Sequence, residues 1–229
     1  MTPTACARVI VDVKKAANWN VRFRWPWLSV VLLVVLSSVF GTHRLAAQHK
    51  PRLQPIKGMD LNGRSCRVGE SATAKGSAIV FLSIHCPISN SYIPLLKEIH
   101  QRYRSLGIEL YGVISDPSVT RVAAIDHSNE YDLIFPVLFD GSGELRMMLS
   151  PTHTPQAILV NAEGAIVYSG AIDDRHVRLG RKKDQATKNY LVDAIRAMMM
   201  GREILVSRTK PIGCLLEDPP NKAQSGDVT

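Results

Sequence analysis

Residues 76–91 read Gly76-Ser-Ala-Ile-Val-Phe-Leu-Ser-Ile-His-Cys-Pro-Ile-Ser-Asn-Ser91. The stretch up to Ile84 is a short apolar run rich in β-formers, which predicts a strand buried on both faces, as in a parallel sheet. Pro87 and Ser89 then open a segment to Leu106, with Ile93, Leu96, Ile99 and Tyr103 at helical spacing, and Gly107 ends it. A Cys placed where such a strand gives way to a helix faces unpaired backbone N–H groups and the positive end of the helix dipole. Both favour the thiolate, which is the nucleophilic form. Pro87 suits the first helical turn, where a missing N–H costs nothing. His85 can add positive charge, although strand neighbours alternate faces. Cys86 therefore reads as a reactive thiol in the crevice at the carboxyl end of a strand, against the plainer reading of a small buried hydrophobe.

Glu109–Ser115 predicts a second buried strand, and Asp116-Pro117-Ser118 a helix start, running to about Asn129. Pro136–Phe139 is a short strand. Gln156–Val160 and Ala165–Ser169 are two more, around a hairpin loop at 161–164, and Ala186–Met200 is a last helix. This order predicts an α/β fold: a central mixed sheet with helices on both faces, parallel strands first and an antiparallel hairpin after. Pro155 precedes the strand at Gln156, where a residue without an N–H is tolerated, and an X-Pro bond in so tight a place is a candidate for the cis form.

The chain has 229 residues and a formal charge of +8. Such a charge invites a nucleic-acid reading, but it is unevenly spread. Residues 1–50 carry Arg8, Lys14, Lys15, Arg22, Arg24, Arg44 and Lys50 against Asp12 alone, so +6 of the +8 is N-terminal. The remainder is nearly neutral, and no nucleic-acid partner is expected. Immediately after the basic segment 1–24 comes Trp25-Pro-Trp-Leu-Ser-Val-Val-Leu-Leu-Val-Val-Leu-Ser-Ser-Val-Phe40, without a charge. As a helix it would span about 24 Å, against a hydrocarbon core of roughly 30 Å. The bases before it suit the cytoplasmic side, and all three Trp lie at its start or just before it. Residues 25–41 thus read as a signal anchor, or alternatively as a cleaved signal peptide. Both readings put the rest on the extracytoplasmic (periplasmic) side, membrane-anchored or free, where Cys chemistry is expected. Residues 42–57 read as a linker, 58–216 as the globular domain and 217–229 as a disordered tail.

Cys86 and Thr154-Pro155, in this order of elements, resemble the thioredoxin superfamily. The run Phe81–Asn90, then Tyr92 and Pro94, with Gly170-Ala-Ile-Asp-Asp-Arg175 and Ile212-Gly-Cys214 later, is similar to its redoxin branch, the alkyl hydroperoxide reductase/thiol-specific antioxidant type. The resemblance implies a thioredoxin-like fold. It implies Cys86 as the first Cys of the redox motif, Thr154-Pro155 as the cis-Pro loop facing it, and Pro87 with them along the substrate groove. The implied activity is thiol–disulfide exchange on a protein or small-molecule disulfide or thiol, without a cofactor or metal.

Where that superfamily carries its second motif Cys, this chain has Ser89, which can only hydrogen-bond the thiolate. A mixed disulfide on Cys86 must then be resolved by another thiol. Cys214 is the favoured partner, with Cys66 and an external thiol as alternatives, while Cys6 is incidental. A peroxide reductase is the second reading: Ser83 keeps the hydroxyl of the peroxiredoxin Thr position, but Ile79 stands where that pattern has Pro. A third is a redox-inert binding module on the same fold. A soft-metal site from His85, Cys86, His153 and Met198–Met200 is disfavoured, since consecutive helical residues face different ways. Asp173-Asp174-Arg175, with Arg178, Arg181, Lys182 and Lys183, reads as a solvated charged loop.

Overall fold

The computed structural model describes residues 56–69 and 74–216. Residues 1–55, which hold the predicted anchor and most of the linker, and the tail from 217 lie outside the described residues. Among the described residues no helix is long and apolar enough to cross a membrane.

A hairpin of β1 (Lys57–Met59) and β2 (Ser65–Arg67) precedes the central strand β3 (Gly76–Leu82). Next come α1 (Pro87–Arg104), β4 (Ile108–Ile114), α2 (Arg121–Glu130), β5 (Val137–Phe139) and α3 (Glu144–Leu149). After the two-residue β6 (His153–Thr154) come β7 (Gln156–Asn161), β8 (Ile166–Gly170), the small hairpin β9 (His176–Arg178) and β10 (Arg181–Lys182), α4 (Tyr190–Met199) and β11 (Cys214–Leu215). The main sheet has the order β5-β4-β3-β7-β8. The pairs β3/β4 and β4/β5 are parallel, and β3/β7 and β7/β8 antiparallel. The mixed sheet expected from the order of elements is the one present.

Every residue of β3 is buried. Alternation along the strand divides its side chains between two cores. Ala78, Val80 and Leu82 pack with Tyr92, Leu96, Ile99 and Tyr103 of α1 and Leu191, Ala194 and Ile195 of α4. Ile79 and Phe81 pack on the other face with Val113, Leu138, Ile158 and with Leu145 and Leu149 of α3. Each large apolar side chain so buried contributes about 1.5–3 kcal/mol, so β3 is anchored in both cores.

One boundary differs from the sequence expectation. Asp116 does not start a helix; its carboxylate accepts from Ser118 N and Oγ, at 2.9 and 2.7 Å, and closes a turn. The helix begins after Thr120, whose Oγ1 accepts the Ala123 N–H at 3.2 Å. Two good capping residues stood four apart, and the one preceding free N–H groups took the cap. The expected last helix is also shorter, because Thr187 and Lys188 bond back to Asp174 and close the loop that carries β9 and β10.

Candidate active site

β3 delivers Cys86 to the N-terminus of α1. Cys86 is the N-cap residue in extended conformation, and Pro87 opens the first turn. Its N–H reaches back to Ser83 O at 3.2 Å. The thiol is fully buried, and its Sγ stands 3.2 Å from the Thr154 carbonyl oxygen. The Thr154–Pro155 peptide bond is cis, with Thr154 buried beneath the sulfur.

The residue that covers Cys86 comes from the far end of the domain. β11 pairs antiparallel with β6, Cys214 opposite Thr154 and Leu215 opposite His153. That register sets Cys214 Sγ 2.7 Å from Cys86 Sγ. The two thiols are electrostatically unequal. Burial pushes the Cys86 thiol up, but the Cys214 S–H and the backbone N–H groups of Ser89, Cys214 and Ile88 outweigh it and hold it below the ordinary thiol value. Burial, and then the negative sulfur of Cys86, push Cys214 up to about 11. The helix-start N–H groups of Ser89 and Ile88 therefore act as the sequence suggested, joined by a donor from a residue 128 positions away.

Cys86, Thr154, Pro155 and Cys214 thus come together, with Pro87 exposed beside them. The remaining expectations divide. Ser89 is buried in the first turn, but its Oγ accepts from Ser83 N at 3.3 Å. The Ser89 group that favours the thiolate is its backbone N–H, not its hydroxyl. Cys66 sits in β2 opposite Gly58, half-buried against the second core, and forms no part of the cavity around Cys86. His153 is not the loop residue expected but the first residue of β6, paired with Leu215 and in contact with Thr152 Oγ1 at 2.8 Å, and Met198 and Met199 pack on the first core.

The cavity beside Cys86, about 340 Å³, is also lined by His85, Asp116, Ser118 and Arg146. The last three were not foreseen. Arg146 is buried, on the short helix α3, whose N-terminus Asp140 caps by accepting from Leu145 N and Arg146 N at 3.0 Å each. An acid preceding a Gly-rich turn and an Arg is the only local trace of this. A larger cavity, about 490 Å³ beside His100, Arg104 and Tyr111, contains neither sulfur.

Arg178, Arg181 and Lys182 of the charged stretch are exposed as expected, but Asp173-Asp174-Arg175 is not a solvated loop. Asp173 is buried, accepts from Tyr92 Oη and from Arg175 N at 2.8 Å, and pairs with the Arg175 guanidinium at 3.2 Å. An acid amid five cations reads as surface in a one-dimensional pattern; the Tyr92 hydroxyl and local backbone that bury it are distant or invisible in that pattern.

The AhpC/TSA family model matches residues 52–169, just over half of the chain, including Cys86 and the cis-Pro loop. The chain belongs to the AhpC/TSA family. The family match stops short of Cys214. Among similar proteins, thiol-disulfide oxidoreductase ResA of Bacillus thuringiensis subsp. konkukian is 25% identical over 108 residues, 47% of this chain and 61% of that protein. The chain thus spans about three-fifths of the length of that relative. A solved structure of a protein from Sinorhizobium meliloti 1021 superposes with TM-score 0.65 at 23% identity, covering 72% of this chain and 92% of that one. One from Geobacillus kaustophilus gives TM-score 0.64 at 19% identity, covering 75% and 93%. These two share the thioredoxin-like fold.

Proposed function

We propose that this chain is a thiol–disulfide oxidoreductase of the extracytoplasmic side, held by its N-terminal apolar segment, with Cys86 and Cys214 as its redox pair. The observation that carries the reading is the pair itself: two sulfurs 2.7 Å apart, one held toward thiolate and the other held protonated. Both the fold and the ResA name of the relative agree with it. Pro87 and the Thr154–Pro155 loop line the groove in which the substrate half-cystine meets Cys86.

In the reducing direction, the Cys86 thiolate attacks one sulfur of a substrate disulfide. A Cys86–substrate bond forms, the substrate disulfide breaks, and the departing thiolate takes a proton from solvent. Cys214 then gives up its proton and attacks Cys86 Sγ. A Cys86–Cys214 disulfide forms and the second substrate thiolate leaves. Two electrons have passed to the substrate, and an external dithiol returns them to the pair. The depressed Cys86 thiol supplies the nucleophile and the better leaving group; the raised Cys214 thiol keeps its proton until the mixed disulfide has removed the negative sulfur beside it.

The test is turnover of a disulfide-bonded peptide with dithiothreitol as donor. Cys86→Ala is expected to bring the rate to the enzyme-free level, and Cys214→Ala, incubated with the peptide disulfide without dithiothreitol, to leave a trapped mixed disulfide on Cys86. Wild-type turnover by Cys86→Ala overturns the reading. Hydrogen peroxide consumed far faster than the peptide disulfide would replace it with peroxide reduction.

A further inference from the structure

After α4 the chain returns along the edge of β8. Ser169 N donates to Ser207 O at 3.0 Å, and Thr209 N to Ser169 O at 3.2 Å. Thr209 Oγ1 accepts the Ala171 N–H at 2.8 Å and lies 2.6 Å from the hydroxyl of buried Tyr168. The approach is so close that a Cβ on Gly170, at φ +157°, would stand 2.5 Å from Thr209 O. Thr209 is therefore stitched to the sheet from several sides.

The next residues are held differently. Lys210–Ile212 cross from the edge of β8 to the site, and Pro211 limits the ways in which they can do so. Gly213 then passes against the cis-Pro loop, where a Cβ would lie 2.0 Å from Thr154 O and 2.6 Å from its carbonyl carbon. Beyond Gly213 the chain is fixed by the two-residue pairing of β11 with β6, by the Leu216 N–H to Thr152 O, 3.0 Å, by the Cys214–Cys86 sulfur contact and by half-buried Leu216 against the second core. Leu215 is 73% exposed. A ladder this short, with its side chain in water, is of low local stability. Yet it covers Cys86, which has no exposed surface. No disulfide from outside can meet that sulfur while Gly213–Leu216 is in place.

We propose that Gly213–Leu216 is a latch: it occupies the groove over Cys86 in the resting protein and opens by swinging about Lys210–Ile212 from a fixed anchor at Thr209. Opening breaks no covalent bond. The latch rests on the oxidoreductase reading only in taking Cys86 as the nucleophile; it adds that access to Cys86 is gated by the chain's own C-terminal segment. The same segment carries Cys214, so closing the latch is also the movement that brings the resolving sulfur home. The AhpC/TSA match ends before this segment, which sets the gate apart from the matched part of the domain.

The experiment uses the full chain, kept reduced by a phosphine, with iodoacetamide as probe and peptide mapping to read Cys86 alone. In a Cys214→Ser background, Gly213→Val is expected to speed Cys86 alkylation by about tenfold or more, because the branched side chain cannot enter against Thr154. Equal rates overturn the latch. Should Gly213→Val fail to fold, hydrogen exchange in the unaltered reduced protein decides. The Leu216 amide is expected to exchange well ahead of the Thr209 amide, and exchange of both together, only by global unfolding, overturns the latch. Neither measurement involves turnover. A failed oxidoreductase reading shows in the Cys86→Ala assay, a failed latch in the alkylation and exchange rates.

Discussion

Two sulfurs in one groove settle their protons by competition. The Thr154 carbonyl, 3.2 Å from Cys86 Sγ, can only accept a proton and so favours the thiol, as burial does. Against them stand the helix-start N–H groups and the Cys214 S–H, and they prevail. Cys214→Ala removes the leading donor to that sulfur. The titration midpoint of Cys86, read from thiolate absorbance or the pH dependence of alkylation, is expected to move upward; an unchanged midpoint would show that the N–H groups suffice alone. The sign for stability comes from the second thiol. Cys214 is raised to about 11, so its contribution is present below the ordinary thiol value and is lost as pH rises toward 11, when two negative sulfurs face each other. At this scale the sequence was a good guide to where Cys86 and Pro155 sit, at the helix start and in a cis peptide bond. It could not see that the Ser89 hydroxyl turns to Ser83, because a side chain's choice between two neighbours is decided by packing.

Among elements, the least expected piece is the loop that carries β9 and β10. The Asp174 carboxylate accepts from Lys183 Nζ and Thr187 Oγ1 at 2.6 Å each, and from the N–H groups of Thr187 and Lys188 at 2.7 and 2.9 Å. One side chain thus ties both ends of a fifteen-residue excursion, 174–188, and uses the residues that would otherwise have begun α4. Lys183 first, then Thr187 and the two backbone groups, hold the carboxyl well below the usual carboxylate range. A group depressed in this way stabilises above its unfolded value, and that contribution is lost as pH falls through the folded one. Asp174→Asn is expected to loosen the loop by about 1–2 kcal/mol, seen as faster exchange of the Thr187 and Lys188 amides. The unaltered protein should show the same loosening in acid while β3 stays protected; unchanged exchange in the variant would mean that the β9–β10 pairing holds the loop without the clamp. The central strands, by contrast, were legible because their signal is local and periodic. The clamp was not, because alternate acids and bases look alike whether they face water or each other.

The whole chain joins a nearly neutral thioredoxin-like domain to a basic N-terminal segment with an apolar run. The domain's order of elements could be read from its periodicity, but the return of Cys214 to Cys86 could not. That contact spans the domain and depends on a two-residue ladder with no pattern of its own. The charge asymmetry makes a different kind of statement, about topology. With five bases against one acid at 1–24, directly before the uncharged run 25–40, those bases should remain in the cytoplasm and the two-thiol site should face the opposite side. A variant retaining Cys6 as its only Cys puts this to the test in cells. It is expected to stay with the membranes through an alkaline carbonate wash. Cys6 should react with a membrane-impermeant maleimide only after lysis, whereas a companion retaining only Cys66 should react in cells whose outer barrier alone is opened. A soluble chain beginning near residue 42 would replace the anchor with a cleaved signal and leave export intact. A full-length chain in the cytosol, with both Cys silent until lysis, would overturn export and deprive the Cys86–Cys214 pair of the oxidising compartment in which a disulfide persists.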